Sequence, residues 1–305
     1  MMLAPWADAF VPIFGLLALG ALLKRRLVPD DTVWAGIERL IFWVLLPCLI
    51  AGALSSVRFS EVPILGMAAA LWTALTLGSF LSVLLARALG EGHAGMTSIL
   101  QGGIRFNNLM GFAIGGALWG AEGIAYAAVG VGLIVPFVQV AVTLAFAAGG
   151  ERGLRILPLL RKVLLNPLIL GCLFGYVLGW LGGLPPGLKP AVQSLGQASV
   201  ALGLLCIGAA LTPAGLGLRP AAQAATAVLK LLVMPAMTWA FCSALGLPPL
   251  ATAMTVLFMA LPTAATSYVM ARAMGGDAPL MAAITTSEHL LSMATLPAWV
   301  WLLTR

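Results

Sequence analysis

Three groups of side chains in this 305-residue chain combine types and spacings that can do chemistry. Arg105 stands two residues before an amide pair, Asn107 and Asn108, in a stretch holding Gly102, Gly103 and Gly111. A guanidinium beside amides can clamp a carboxylate through parallel N–H donors. Pro262, Thr263, Thr266 and Ser267 form a second cluster of backbone-bending and hydroxyl groups. Glu288 and His289 are neighbours, a carboxyl and an imidazole that can hold and relay a proton. Other chemistries lack their groups. There is no GxxxxGK[ST] phosphate loop, so a primary pump is excluded. Cys48, Cys172, Cys206 and Cys242 sit apart in apolar runs without CxxC spacing, and His93 is remote from His289. No metal, cofactor or disulfide framework is indicated, and no catalytic constellation of an enzyme.

The elements that must position these groups are set by composition. The chain is 61% hydrophobic and 9% charged, with a mean hydropathy of +1.06. Soluble domains carry roughly 25% charged residues, so a soluble enzyme, nucleic-acid binder or disordered regulator is excluded. Long apolar stretches, not the alternation of a barrel, fill the sequence. A spanning helix takes about 20 of them. Ten are expected: 6–23, 33–55, 62–86, 95–118, 124–148, 163–182, 189–211, 221–245, 250–272 and 279–303. Short connectors leave no room for a large domain outside the bilayer.

The formal +6 charge fits a membrane rather than a nucleic-acid partner, because Lys and Arg are retained in cytoplasmic loops. One side collects Lys24, Arg25, Arg26, Arg87, Arg152, Arg155, Arg161, Lys162, Arg219 and Arg272, and the other only Arg58, Lys189 and Arg305. That bias puts both termini outside and makes an even number of crossings self-consistent. No basic residue precedes the first apolar run, so it is expected to be retained. Trp6, Trp34, Trp299 and Trp301 sit where aromatic anchors belong, and Glu38 and Arg39 lie near enough to the surface to snorkel.

Against this frame the charged groups inside apolar segments are expensive, at roughly 2.5–3.5 kcal/mol on insertion scales. Glu288 and His289 lie about ten residues into the last segment, near mid-bilayer at about 1.5 Å per residue. Adjacent residues point about 100° apart, so only one of the two is expected to face a transport site. Each is either a proton carrier or a buried polar contact between helices. Arg105 either clamps a carboxylate or pairs permanently with Glu288 or a carbonyl end. Lys230 is expected to balance helix-dipole ends.

The basic connector at mid-chain divides the sequence into residues 1–150 and 151–305, five segments each. An odd number of crossings per half forces opposite orientations, hence an inverted repeat. Laying Phe112 over Tyr268 brings Gly120 onto Gly276, Ala117 onto Ala273 and Ala127 onto Ala283. The fourth segment of each half is the polar, helix-breaking one. Breaks in lipid are tolerated only where protein or water replaces the lost backbone partner. Such broken helices aim their N-termini at mid-membrane anionic sites. Gly115, Gly116 and Gly120 read better as close helix packing, whereas Asn107, Asn108 and Pro262 read as a site.

These segments resemble the auxin efflux carrier family in its bacterial, malate permease-like branch, over nearly the whole chain. The resemblance rests on PIFGLLALGALLKRRL and ERLIFWVLLPCLIAGAL, on IRFNNLMGFAIGGALWGAEG, and on NPLILGCLFGYVLGWLG, LGQASVALGLLCIGAAL and ALPTAATSYVMARAMGGD in that order. It implies an all-α integral membrane protein of ten helices in two inverted five-helix repeats. Helices four and nine would break and cross, as in sodium/proton antiporter-like folds. Scaffold and transport domains would each be drawn from both repeats. It further implies Pro47 and Gln197 as supporting residues, a homodimer through the scaffold, and transport of small organic acids. Plant members carry prolines at the crossover where this chain aligns Ala113 and Ser267, and their long cytoplasmic loop is absent. The auxin-specific geometry is therefore not carried over.

The expected function is a secondary transporter of a small organic anion in the cell membrane. Arg105, Asn107, Asn108 and Gly111 would face Pro262, Thr263, Thr266 and Ser267 across the substrate. Glu288 or His289 would couple protons, and Lys230 would support the site. A cation/proton antiporter of the same fold is the alternative. It would want paired carboxylates at the crossover, where this chain has Arg105.

Overall fold

A computed structural model of the chain describes residues 3–57, 62–149 and 156–305. The expected boundary at 150/151, and Arg58, Arg152 and Arg155, lie outside the described residues. Among these residues the chain is helical throughout, with no strand. In order, the helices are α1 (Leu3–Arg26), α2 (Asp31–Leu54), α3 (Ile64–Ala88), α4 (His93–Ile104), α5 (Asn108–Ala147) and α6 (Ile156–Leu164). Then come α7 (Pro167–Trp180), α8 (Leu188–Ala210), a 3-10 turn at Pro213–Gly217, and α9 (Pro220–Ala244). The chain closes with α10 (Pro249–Ala260), α11 (Thr266–Met274) and α12 (Ala278–Leu303).

Local chemistry sets these ends. Asp30 caps α2 by accepting the Thr32 N–H at 2.8 Å, and Asn166 caps α7 from Leu168 at 2.9 Å. Asp277 caps α12 through the Leu280 N–H at 3.0 Å. Prolines open α7, α9 and α10, where the missing N–H costs nothing. Within α2 and α9, single π turns at Ile41–Leu45 and Leu229–Val233 precede Pro47 and Pro235, which cannot donate into the helix ladder.

Six helical runs are long and apolar enough to cross a membrane: Ala7–Arg26, Asp31–Leu54, Ile64–Ala88, His93–Ala147, Leu188–Ala210 and Pro220–Ala244. Pro167–Trp180 and Pro249–Ala260 are shorter apolar helices. The 55-residue run is double length, about 80 Å if straight. It is divided by the non-helical residues between α4 and α5 and by Gly120, at φ 58° and ψ −141°. Only glycine adopts that geometry without strain. Large apolar side chains such as Leu65 and Trp180 stay exposed, as in a protein surrounded by lipid.

The chain divides into two compact units. The first takes Met1–Ile64, Leu109–Val135 and Lys162–Ala210, and the second Leu65–Asn108, Pro136–Arg161 and Leu211–Arg305. Each therefore draws on both halves of the sequence. In the first, α1 packs on α8, and α2 on α7 and α8, through small residues that let backbones approach. A Cβ on Gly175 would lie 2.8 Å from the Ala51 Cα and 2.9 Å from its carbonyl oxygen. Gly171 meets Pro47 and Gly196 meets Leu49 in the same way. In the second unit α12 is the hub, packed by α4, α9, α10 and α11.

The displacement that lays Phe112 over Tyr268 also carries Ile64–Ala88 onto Pro220–Ala244 and His93–Ile104 onto Pro249–Ala260, end to end. The aromatic-anchor expectation needs correction. Trp34 is buried with its indole N–H on the Val28 carbonyl, and Trp299 donates to the Leu231 carbonyl, both at 2.8 Å. Trp301 is exposed under the Arg305 guanidinium, and the Trp6 side chain lies outside the described residues.

Candidate functional site

The polar residues expected at the breaks all lie within the second unit. Helix α4 stops at Ile104, and Arg105 is extended at φ −76° and ψ 162°. Helix α10 stops at Ala260, and Leu261 is extended at φ −64° and ψ 142°. Pro262 explains that second stop, since the residue before a proline is driven out of the helical region. Each break frees backbone donors that water cannot reach, and each is answered by the other break or by α12. The Asn107 N–H donates to the Pro262 carbonyl at 2.8 Å, which ties the two broken segments together. The Thr263 N–H donates to Glu288 Oε2, also at 2.8 Å. The Thr263 hydroxyl reaches back to the Gln101 carbonyl at 3.1 Å and stands 3.2 Å from the Ser267 hydroxyl. Phe106 and Phe258 close the apolar side edge to face, 5.5 Å between ring centres.

On α12, Glu288 and His289 are both buried. His289 Nε2 lies 3.1 Å from Asn107 Nδ2, and its Nδ1 lies 2.7 Å from the Thr285 carbonyl oxygen. Both side chains therefore meet the broken segments, where only one was expected to face a transport site. The broken segments lie side by side, so two side chains about 100° apart on α12 each reach one of them. Arg105 does not pair with Glu288. Its guanidinium donates to the exposed Thr266 hydroxyl at 2.8 Å and to Met270 Sδ at 2.9 Å. Lys230 is buried in the π turn of α9, and its ammonium has no hydrogen-bond partner among the described residues.

Residues 6–300 match the family described as membrane transport protein. The chain belongs to this family. It is the auxin efflux carrier family that the sequence resembles, one of transporters rather than enzymes, and the chain is a multi-pass membrane protein. No curated protein matches the chain.

In this transporter, Arg105, Asn107, Pro262, Thr263, Thr266 and Ser267 are brought together, with Glu288 and His289 against them. Asn108 is the half-buried first residue of α5. Gly111, Pro47 and Gln197 belong to the first unit: Gly111 is buried in α5, Pro47 half-buried in α2, and Gln197 exposed on α8. Ala113 and Ser267, the positions aligned with the plant prolines, lie inside α5 and the first turn of α11 rather than in the breaks. The proline that does break a helix here is Pro262. Gln101 was not singled out, although its carbonyl anchors Thr263 and its amide is buried. The signal was the same as for Asn107: an amide in an apolar run.

The arrangement presents the Arg105 guanidinium beside an exposed hydroxyl, together with buried amide, imidazole and carboxyl groups. That set can receive a carboxylate on the guanidinium side, where exposed Thr266 marks access.

Proposed function

We propose that the chain is a secondary transporter moving a small organic anion, a carboxylate such as malate or an auxin-like weak acid, by alternating access. The carrying observation is Arg105: a guanidinium at a helix break, bonded to the exposed hydroxyl of Thr266 and, among the described residues, not to an acid. An intramembrane arginine without a carboxylate partner is suited to an anion and opposes a cation, which weighs against the antiporter alternative.

The reading includes ten crossings in two inverted five-helix repeats. The double-length run His93–Ala147 supplies two, and the interrupted pairs α6–α7 and α10–α11 one each. The end-to-end coincidence of helices under one displacement supports the repeat. Division of the chain into two units, each taken from both halves, supports a scaffold and a transport domain. In this reading the first unit is the scaffold, through which the protein dimerises, and the second carries the crossover. The protein is not an enzyme and needs no cofactor; lipid and the anion are its partners, and nucleic acid is not. It sits in the cell membrane with both termini outside, as the loop charges favour. Glu288, against the Thr263 N–H, is the group through which a proton gradient would act, and Lys230 supports the site.

The test is counterflow in proteoliposomes loaded with unlabelled malate, following entry of labelled malate with and without a proton gradient. Saturable exchange that Arg105→Ala abolishes is the expected result. Absence of exchange with malate and other small carboxylates, in folded wild-type protein, retires the organic-anion reading.

A further inference from the structure

The hydrogen bonds around His289 assign its protons. Its Nδ1 lies 2.7 Å from the Thr285 carbonyl oxygen, one helical turn back on α12. A carbonyl oxygen only accepts, so Nδ1 carries a hydrogen. The neutral ring then has its lone pair on Nε2, which faces Asn107 Nδ2 at 3.1 Å. An amide nitrogen only donates, so the two ends of this short chain agree: Asn107 donates to His289, and His289 donates to Thr285. A ring carrying both protons would have no lone pair for the amide. His289 is buried, and its backbone is held mid-way along a continuous helix, so the acceptor is rigidly placed. Asn107 by contrast sits in the non-helical break between α4 and α5.

We propose that His289 is a positioning residue for the substrate site: as the Nδ1–H tautomer it accepts from the Asn107 side chain and sets the orientation in which that amide meets the transported anion. This rests on the reading of Asn107 as a substrate contact. It gives His289 a role other than proton relay, since a residue that must keep Nε2 unprotonated to do its work is a poor carrier. Glu288, which meets the other break, is left as the sole candidate carrier of the pair.

The chain has two histidines, so His93→Gln, at the exposed start of α4, leaves His289 as the only labelled imidazole. Solid-state NMR of ¹⁵N-histidine protein in liposomes then reads the tautomer without any substrate. The expected spectrum has Nδ1 protonated and Nε2 bare, with the Nε2 resonance moving in Asn107→Ala. An Nε2–H tautomer, a doubly protonated ring at neutral pH, or an Nε2 resonance indifferent to Asn107→Ala overturns the proposal.

Labelled-malate counterflow supplies the functional arm. His289→Asn keeps a donor for Thr285 but is too short to reach Asn107, whereas His289→Gln can still present an oxygen to it. His289→Asn is expected to raise the half-saturating malate concentration by about two- to tenfold, the worth of one hydrogen bond, with a smaller change in maximal rate. His289→Gln should lie nearer wild type, and His289→Asn should add little on top of Asn107→Ala. If Asn107→Ala weakens malate exchange and His289→Asn does not, the positioning role alone fails. If Asn107→Ala leaves exchange intact while the NMR bond is present, the substrate reading of Asn107 fails and takes the positioning role with it.

Discussion

Gly102 tests whether the helices around the break after α4 are packed as tightly as the structure has them. It lies in α4, buried, facing α9 and α12. A Cβ built on it would stand 2.6 Å from the Thr226 Cγ2, 2.8 Å from the Ile284 Cγ2 and 3.3 Å from Glu288 Oε1. Two of these neighbours are methyls of β-branched side chains with little χ1 freedom in a helix, so they cannot swing away. Gly102→Ala gains about 1 kcal/mol of helix propensity and incurs an overpacking cost of about 1–3 kcal/mol. The expected balance is a net loss of up to about 2 kcal/mol. With about 2–4 °C per kcal/mol for a chain near this size, the melting midpoint should fall by up to about 8 °C.

Gly36 is the control, since a Cβ there meets nothing within 4 Å. Gly36→Ala should hold or raise the midpoint. The assay is loss of the monodisperse peak after heating detergent-solubilised protein, all variants at one heating rate because unfolding of such proteins is irreversible. Malate counterflow should fall in Gly102→Ala as well, because the added methyl crowds the carboxylate that accepts from Thr263. If Gly102→Ala melts at or above Gly36→Ala, the close contact of α4 with α9 and α12 is wrong, and the placement of Glu288 under Thr263 falls with it.

Glu288→Gln keeps an oxygen for the Thr263 N–H but removes the titratable group; it should fold as wild type and lose any response of exchange to a proton gradient, measured with and without ionophore. Glu288→Ala leaves that buried N–H unanswered and should cost about 1–3 kcal/mol, seen in the same melting assay. Arg219 bonds Glu91 at 2.6 Å and also Asp277, yet sits at φ 47°, a region a non-glycine residue enters under strain. Arg219→Gly should therefore melt above Arg219→Ala by the equivalent of about 1–2 kcal/mol, and equal midpoints would show that the backbone there is unstrained. Gly175→Ala puts a methyl against the backbone of Ala51, which cannot move aside as a side chain can, and should lower the midpoint at least as far as Gly102→Ala.

What could be read from the sequence follows from which forces act locally. Apolar length and the positions of Pro, Gly and Asn are local, so the helices and the breaks near Arg105 and Pro262 were legible. The hydrogen bond from Asn107 to the Pro262 carbonyl is not local, and no spacing announces it. Single-face reasoning does not find that Glu288 and His289 both reach the broken segments, because helical angle says nothing about how many partners flank a helix. Ala113 and Ser267, aligned with the plant prolines, lie within helices, and the first break occurs without a proline, its Asn107 N–H answered by the Pro262 carbonyl. Trp34 looked interfacial because indoles favour membrane boundaries, and only the fold shows its N–H turned inward to Val28.

The displacement that overlays the two halves separates architecture from chemistry. It carries α3 onto α9 and α4 onto α10, so the backbone scheme of helix, break and helix is common to both halves. The reactive groups do not follow it. Under the same displacement Arg105 falls on Leu261, Lys230 on Ala74, Glu288 on Gly132 and His289 on Leu133. Only Asn107 meets a polar counterpart, Thr263, and these are two residues whose backbone N–H groups are answered at the breaks. Residues that serve the break itself are therefore polar in both halves, while those that would serve a solute or a proton occur once. Helix packing alone gives no reason to bury one glutamate and one lysine in the second half, each at a cost of several kcal/mol in lipid. That one-sidedness makes Arg105, Lys230, Glu288 and His289 the positions at which substitutions should alter transport more than they alter folding.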